Sequence, residues 1–199
     1  MAAKIKSTEI TWSDPVRVRF GFTGLTAEYA IPIIRQIMQD QWPQIRRPSQ
    51  CVYVIRLCGQ VAVAYGERHS PVIYIGEGSA YDRLYSHANW ISPLLVSVPN
   101  IEIEIRVAEV ARKNHTSLYQ FIEADMIKWF FGDFGMLPWF NRQRERSKED
   151  RYSYEVDAEK KLRQHLGIGS GNTFLWAIRP THNNDQSVAY DKGATASSA

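Results

Sequence analysis

The sequence predicts an α+β fold in which a small central antiparallel or mixed β-sheet is flanked by helices, with extensions at both ends. Segments 51–58, 72–76 and 101–107 are short apolar or alternating runs, which are typical of strands. Two longer segments with helical periodicity follow the second and third of these runs. The core therefore reads strand, strand, helix, strand, helix, and 199 residues are enough to bury such a core.

The N-terminal region predicts one strand and one helix. Residues 15–22 (PVRVRFGF) alternate valine and arginine, which places Arg17 and Arg19 on one face of a half-exposed strand. Residues 25–42 have helical periodicity, with Thr26 as the predicted N-cap. The proline-flanked stretch that follows predicts a loop.

The core strands differ in pattern. Residues 51–58 (CVYVIRLC) form a continuous apolar run and predict a buried strand, and 61–66 and 72–76 predict two more. Residues 101–107 (IEIEIRV) alternate strictly. This alternation predicts isoleucines and Val107 facing inward and a polar set facing outward, namely Glu102, Glu104 and Arg106.

Helix signals complete the secondary structure. Ser79 is the predicted cap of a helix that follows the strand 72–76, and Ser117 caps a strong apolar helix over 117–131 that ends at Gly132 or Gly135. A shorter helix is predicted at 155–166 and a last strand at 172–180. The chain thus divides into an N-terminal arm (1–50), a core (51–141), a C-terminal extension (142–180) and a tail predicted to be disordered (181–199).

Composition narrows the function class. No apolar run approaches the ~20 residues of a membrane span, and the N-terminus lacks the apolar centre of a secretory signal, so a cytoplasmic protein with no membrane partner is expected. Two cysteines without a C-x-x-C spacing disfavour zinc. A net charge of +3 permits a nucleic-acid partner without requiring one.

Several candidate functional residues are unremarkable when taken singly. Tyr53 and Tyr74 lie in apolar strands, where tyrosine is a common core residue, and Gly76 ends a strand as a turn glycine would. Arg83 and His87 share one helix face through their i, i+4 spacing, which is also typical of a solvated surface.

Two further candidates follow in the sequence. Glu123 lies in a helix that is apolar nearly all round, where a carboxylate loses hydration unless a cation or a donor meets it. A glutamate paired with lysine or arginine is the equally weighted alternative. Asn141 follows the aromatic segment MLPWF and by itself predicts a turn.

Together these residues resemble the GIY-YIG nuclease family. CVY (51–53) stands where the family has Gly-Ile-Tyr, and YIG (74–76) matches the second element intact. The remaining family positions are matched in order by Arg83, His87, Glu123 and Asn141. Cys51 and Val52 depart from the family pattern, and the segment from Tyr53 to Tyr74 is longer than usual, which suggests an inserted strand and loop that contacts DNA.

The resemblance implies a metal-dependent DNA endonuclease with one Mg²⁺ (or Mn²⁺) ion per active site, bound by Glu123 as the sole protein carboxylate. Arg83 would then hold a phosphate oxygen, and His87 would relay a proton or bind phosphate. Tyr53, or less clearly Tyr74, would orient or deprotonate the water. Asn141 would keep the hydrogen-bond network in register, and Gly76 would let the chain turn without crowding the phosphate.

Double-stranded DNA is the implied partner, and a palindromic site would favour a homodimer or higher homo-oligomer. Four arginines are candidate DNA contacts: Arg46, Arg47, Arg142 and Arg144. A sequence-specific restriction-type enzyme is the first expectation.

Three alternatives stay open. These are a structure-selective or weakly specific nuclease of mobile-element or phage origin, a catalytically silent binding module, and an α+β interaction domain with a chance motif match. The last predicts that Arg83 and Glu123 lie on unrelated surfaces.

Overall fold

The computed structural model describes residues 3–19, 26–41, 49–58, 61–98, 101–112, 115–142, 152–168 and 174–179. Its strands are β1 (Ala3–Ile5), β2 (Ile10–Trp12), β3 (Val16–Arg19), β4 (Cys51–Cys58), β5 (Val61–Ala64), β6 (His69–Ser70), β7 (Val72–Gly78), β8 (Glu102–Val110), β9 (Tyr152–Tyr154) and β10 (Trp176–Ile178). Its helices are α1 (Ala27–Gln41), α2 (Ala80–Ser97), α3 (Leu118–Phe134) and α4 (Val156–Arg163). The predicted α+β fold is confirmed.

A five-stranded antiparallel sheet forms the centre of the fold. β4 lies between β7 and β8, and the other edge of β8 pairs with β2 and then with β3. β4 is buried over most of its length, as its continuous apolar run predicts. The strand predicted at 15–22 is therefore part of the same sheet as the core strands.

Two small sheets join distant parts of the chain. β1 pairs in parallel with β9, and β10 pairs in parallel with β5, which also pairs with β6. Four short strands, β1, β2, β6 and β9, have no counterpart in the sequence prediction. Each has only two or three residues, which is too short for an alternating pattern to emerge.

The helices pack on the central sheet and on one another. α1 and α2 pack together, with α1 also against β3, while α3 packs against β7 and β4. Of the two glycines proposed to end α3, Gly135 does so, with a left-handed φ of 74° and its N–H bonded to the Phe131 carbonyl. No helix in the described ranges is long and apolar enough to cross a membrane.

The prediction that Glu104 faces outward into solvent is wrong. Glu104 is only 3% exposed. In the sheet register, Glu104 lies opposite Arg17 of β3 on one side and Arg56 of β4 on the other, and Arg106 follows on the same face. Because cross-strand neighbours share a face, three guanidinium groups enclose the carboxylate.

The segment between Tyr53 and Tyr74 contributes a buried tyrosine to the core. Tyr65 is buried, and its hydroxyl donates to the Val72 carbonyl and accepts the backbone N–H of Trp139. The N–H of Glu67 also bonds to the carbonyl of Phe134, the last residue of α3. The described part of this segment therefore ties the end of α3 to β7.

Candidate active site

The two motif tyrosines lie side by side on adjacent strands. Tyr53 of β4 is paired with Gly76 of β7, and Tyr74 is paired with Ile55. Because side chains alternate along each strand, both rings lie on the same face of the sheet. Their centroids are 6.0 Å apart, and Tyr53 is 1% exposed whereas Tyr74 is half-buried.

Gly76 makes room for both rings. It lies within β7 rather than at a turn, and a Cβ atom built on it falls 2.6 Å from the Cζ and Oη of Tyr53 and from Cε1 of Tyr74. The expectation that Gly76 lets the chain turn is therefore wrong. The positive φ in this strand belongs to Gly78, at 106°.

His87 reaches the tyrosines from α2. Its Nε2 lies 2.9 Å from the Tyr53 hydroxyl, and its ring forms an edge contact with Tyr74 at a centroid distance of 4.8 Å. Arg83 lies one turn earlier on the same face of α2 and is exposed. The i, i+4 pair thus presents an imidazole inside the site and a guanidinium at its rim.

Trp90 supports His87 from the next turn of α2. Its indole N–H donates to His87 Nδ1 at 3.0 Å, and its ring stacks on Phe140 at 4.3 Å. Sequence reasoning missed this residue. The i, i+3 spacing from His87 is a signal that would have found it, since such side chains are neighbours on a helix.

Asn141 fixes the backbone between Tyr74 and Gly76. Its side-chain oxygen accepts the N–H of Ile75 at 3.0 Å, and its side-chain nitrogen donates to the Ile75 carbonyl at 2.8 Å. The Asn141 amide thereby forms with Ile75 the two hydrogen bonds that the backbone of a neighbouring strand would form. Next to it, the N–H of Phe140 bonds to the Ile73 carbonyl, so this segment runs along the strand.

The charges of Arg83 and Glu123 both act on Tyr74. Glu123 lies on α3 and is 7% exposed, and its negative charge raises the pKa of Tyr74 after burial, the largest cause, while Arg83 lowers that pKa. Arg83 also lowers the pKa of Tyr53 and of His87. Residues from two strands and two helices therefore act on one another at a single location.

Burial keeps the inner groups neutral. It raises the pKa of Tyr53 far above its ordinary value of 10.0, and it lowers the pKa of His87 to about 4, an effect that Arg83 reinforces. The proximity of the two phenols raises the pKa of Tyr53 further but lowers that of Tyr74. Of the two phenols, Tyr74 is therefore the one that releases its proton more readily.

The donors present fit a hard cation held by few protein ligands. Glu123 brings a buried carboxylate to the face where Tyr74 is half-exposed. Mg²⁺ retains several waters and accepts one or two carboxylates together with phosphate oxygens. In the described part of the chain, no group of three or more His, Cys, Asp or Glu side chains is arranged as a self-sufficient metal site.

The arginines proposed as DNA contacts are divided by the described ranges. Arg142 directly follows Asn141 and is exposed, which puts it at the edge of the site. Arg46, Arg47 and Arg144 lie outside the described residues, as does the tail 181–199 predicted to be disordered.

Comparisons with known proteins add no family to this description. Protein-family models, curated proteins and solved structures were each searched with the chain, and none of them matches it.

Proposed function

We propose that the protein is a metal-dependent endonuclease that hydrolyses phosphodiester bonds in double-stranded DNA. The observation that carries this proposal is the cluster of Tyr53, Tyr74 and His87, in which Tyr74 is acted on by the charges of Arg83 and Glu123. A cationic donor, a buried carboxylate and a half-buried phenol are the groups that phosphate binding, metal binding and water activation require.

Tyr74 is the residue that activates the water. It is half-buried, whereas Tyr53 is almost fully enclosed and cannot touch a water molecule at the substrate. Burial and the charge of Glu123 raise the pKa of Tyr74 above its ordinary 10.0, whereas Tyr53 and Arg83 lower it, and a cation held by Glu123 would favour the deprotonated form further. In that form the phenolate oxygen takes a proton from the attacking water as general base.

Arg83 binds the substrate phosphate. Its exposed guanidinium lies at the rim of the site and can donate two parallel hydrogen bonds to phosphate oxygens. Glu123 would hold Mg²⁺ or Mn²⁺, and the bound ion supplies positive charge that stabilises the developing charge on phosphate and leaving oxygen. Asn141 and Gly76 hold β7 and the two rings in position and touch no reacting atom.

A sequence-specific restriction-type activity in the cytoplasm is the form of this function that we propose first. A palindromic site would require two copies of the catalytic group, hence a homodimer or a higher oligomer. The exposed Arg142 beside Asn141 supplies a phosphate contact that positions the duplex.

The test is cleavage of a large duplex of diverse sequence, such as phage genomic DNA, with Mg²⁺ and separately with EDTA. Glu123→Gln removes the carboxylate charge, and Glu28→Gln, an exposed residue of α1, is the matched control. Discrete fragments that require Mg²⁺ and Glu123 support a restriction-type enzyme. A metal-dependent smear supports a weakly specific nuclease instead.

Absence of cleavage contradicts the proposal when the wild type still binds DNA. Equal binding by wild type and Glu123→Gln would then favour the silent binding module, because such a module has no use for a metal carboxylate. Circular dichroism spectra of all three proteins establish that each variant is folded before its activity is interpreted.

A further inference from the structure

Trp90 lies next to His87 but has no role in the proposed cleavage reaction. Its indole N–H lies 3.0 Å from His87 Nδ1 and its ring is stacked on Phe140. An indole nitrogen is only ever a donor, so the atom it faces must be an acceptor. His87 Nδ1 therefore carries a lone pair and no proton.

The tautomer of His87 follows from this contact. Burial and the nearby Arg83 hold the pKa of His87 at about 4, so the imidazole is neutral near pH 7. A neutral ring without a proton on Nδ1 carries its proton on Nε2, which lies 2.9 Å from the Tyr53 hydroxyl. His87 is then the donor and the oxygen of Tyr53 is the acceptor.

The direction of the next hydrogen bond is fixed in turn. Because the oxygen of Tyr53 accepts from His87, its own proton is free to point toward Tyr74, its other neighbour in the site, whose ring centroid lies 6.0 Å away. The opposite tautomer would place a lone pair on Nε2 and draw the Tyr53 proton toward His87. Tyr74 would then lose the donor that stabilises its phenolate.

We propose that Trp90 is a positioning residue that selects the Nε2–H tautomer of His87 and thereby directs hydrogen bonds from His87 through Tyr53 to Tyr74. This inference rests on the proposed nuclease function only for its effect on rate. The tautomer itself is a property of the folded protein and is measurable without substrate.

The experiment compares Trp90→Phe with wild type by ¹H–¹⁵N NMR of the histidine rings near pH 7. Phenylalanine keeps an aromatic ring against Phe140 but removes the N–H donor, and His87→Gln assigns the His87 signals. Trp139→Phe is the matched control, since its ring also contacts Phe140, at 4.9 Å, but forms no bond to the imidazole. We expect wild type and Trp139→Phe to show protonation at Nε2 alone, and Trp90→Phe to show both tautomers.

The catalytic readout separates this role from packing. For Trp90→Phe we expect kcat to fall roughly ten- to hundredfold, because a hydrogen bond to a charged oxygen is lost, while DNA affinity stays unchanged. A fall in kcat with an unchanged His87 tautomer would overturn the proposal and assign Trp90 a packing role. Wild-type kcat together with a wild-type tautomer would also overturn it.

Two further results distinguish this proposal from the nuclease function. If the wild type cleaves no DNA but its His87 tautomer depends on Trp90, the nuclease function fails and the assignment of Trp90 is supported. If Trp90→Phe does not fold, the wild-type spectrum still decides, because a proton on His87 Nδ1 would contradict the proposal outright.

Discussion

Two clusters of ionisable side chains share strand β4 and differ in how their charges are arranged. Tyr53 and Arg56 are both on β4, and since they are three residues apart their side chains lie on opposite faces of the sheet. On one face, Tyr53 and His87 are uncharged and hydrogen-bonded to each other. Around Arg56 the groups are charged and paired with one another.

The charged side chains around Glu104 are paired with one another. The carboxylate oxygens of Glu104 lie 3.4 Å from Arg17, 3.3 Å from Arg56 and 2.5 Å from Arg106. Burial raises the pKa of Glu104, but the hydrogen bond and charge of Arg106, followed by Arg56 and Arg17, bring it below the ordinary value of 4.5. The carboxylate is therefore held in its charged form by partners already in place.

The candidate active site is arranged differently, and a cavity of about 350 Å³ lies at the other cluster, with Arg17, Arg56 and Glu104 among its lining residues. The inner groups of the candidate active site, Tyr53 and His87, are held neutral, and its charged guanidinium, Arg83, is exposed at the rim. Shifted pKa values occur in both regions, so a shift alone does not identify a functional site. The difference is that one cluster places its carboxylate among three arginines, whereas the other presents a cation and a half-buried phenol at its rim.

The largest effect expected from this comparison concerns the two tyrosines. Tyr74→Phe removes the proposed general base, and we expect kcat to fall roughly 10²–10⁴-fold. Tyr53→Phe removes a group one hydrogen bond further away, so a smaller loss, of roughly tenfold, is expected. Single-turnover cleavage measures both. A larger loss in Tyr53→Phe than in Tyr74→Phe would show that the inner tyrosine activates the water.

The next largest effect is on stability and belongs to the other region. Glu104→Gln leaves the side chain of Arg56, only 12% exposed, without its carboxylate, and we expect a loss of about 3–5 kcal/mol in the free energy of unfolding. Urea denaturation measures it. The control is Glu102→Gln, where a more exposed carboxylate 3.7 Å from Arg17 should contribute at most about 1 kcal/mol. Equal losses in the two variants would contradict the importance of the buried pairing between Glu104 and Arg56.

A smaller effect tests the space around the two rings. Gly76→Ala places a methyl group 2.6 Å from both tyrosines, and overpacking of this kind costs about 1–3 kcal/mol. Cleavage should fall as well, because Tyr53 and Tyr74 must move. Gly132→Ala is the control, since no atom lies within 4 Å of its added Cβ. Unchanged stability and activity in Gly76→Ala would mean that the ring positions matter little.

The sequence predicts most of the central sheet because its strands have strong local patterns. The apolar run of β4 and the Tyr-Ile-Gly of β7 are visible without structure, and so is the i, i+4 spacing of Arg83 and His87. Whether those residues meet depends on the antiparallel register of β4 and β7, which no local pattern reveals. The role of Gly76 depends on the same register, because the glycine faces Tyr53 across the strands.

For Glu104 the sequence pattern predicts the correct face of the strand but not its burial. The burial of that face of β8 comes from two other strands that bring arginines from 87 and 48 residues away. Single-sequence patterns contain no information about such partners. Likewise, Tyr65 has an ordinary apolar context, and only its bonds to Val72 and Trp139 show that it ties the end of α3 to β7.

Acid titration gives an effect that is spread over several pH units, and it separates His87 from Glu104 by pH. The pKa of His87 falls from an ordinary 6.5 to about 4 on folding, so its contribution to stability is complete above pH 6.5 and is lost as the pH falls to about 4. His165 shows the same lowering and doubles the slope in this window. Glu104 acts lower, since its contribution is complete above 4.5 and is lost below that value.

The measurement is the free energy of unfolding between pH 7 and pH 3. Each buried histidine contributes a slope of up to about 1.4 kcal/mol per pH unit between pH 6.5 and 4. His87→Gln should therefore reduce the slope only in that range, and Glu104→Gln should reduce it only below pH 4.5. If His87→Gln left the upper slope unchanged, His87 would keep its ordinary pKa of 6.5 in the folded protein and would be charged below that pH. A charged imidazole donates from both nitrogens, and the Trp90 indole could not donate to a protonated Nδ1. The description of the inner site as neutral would then be wrong.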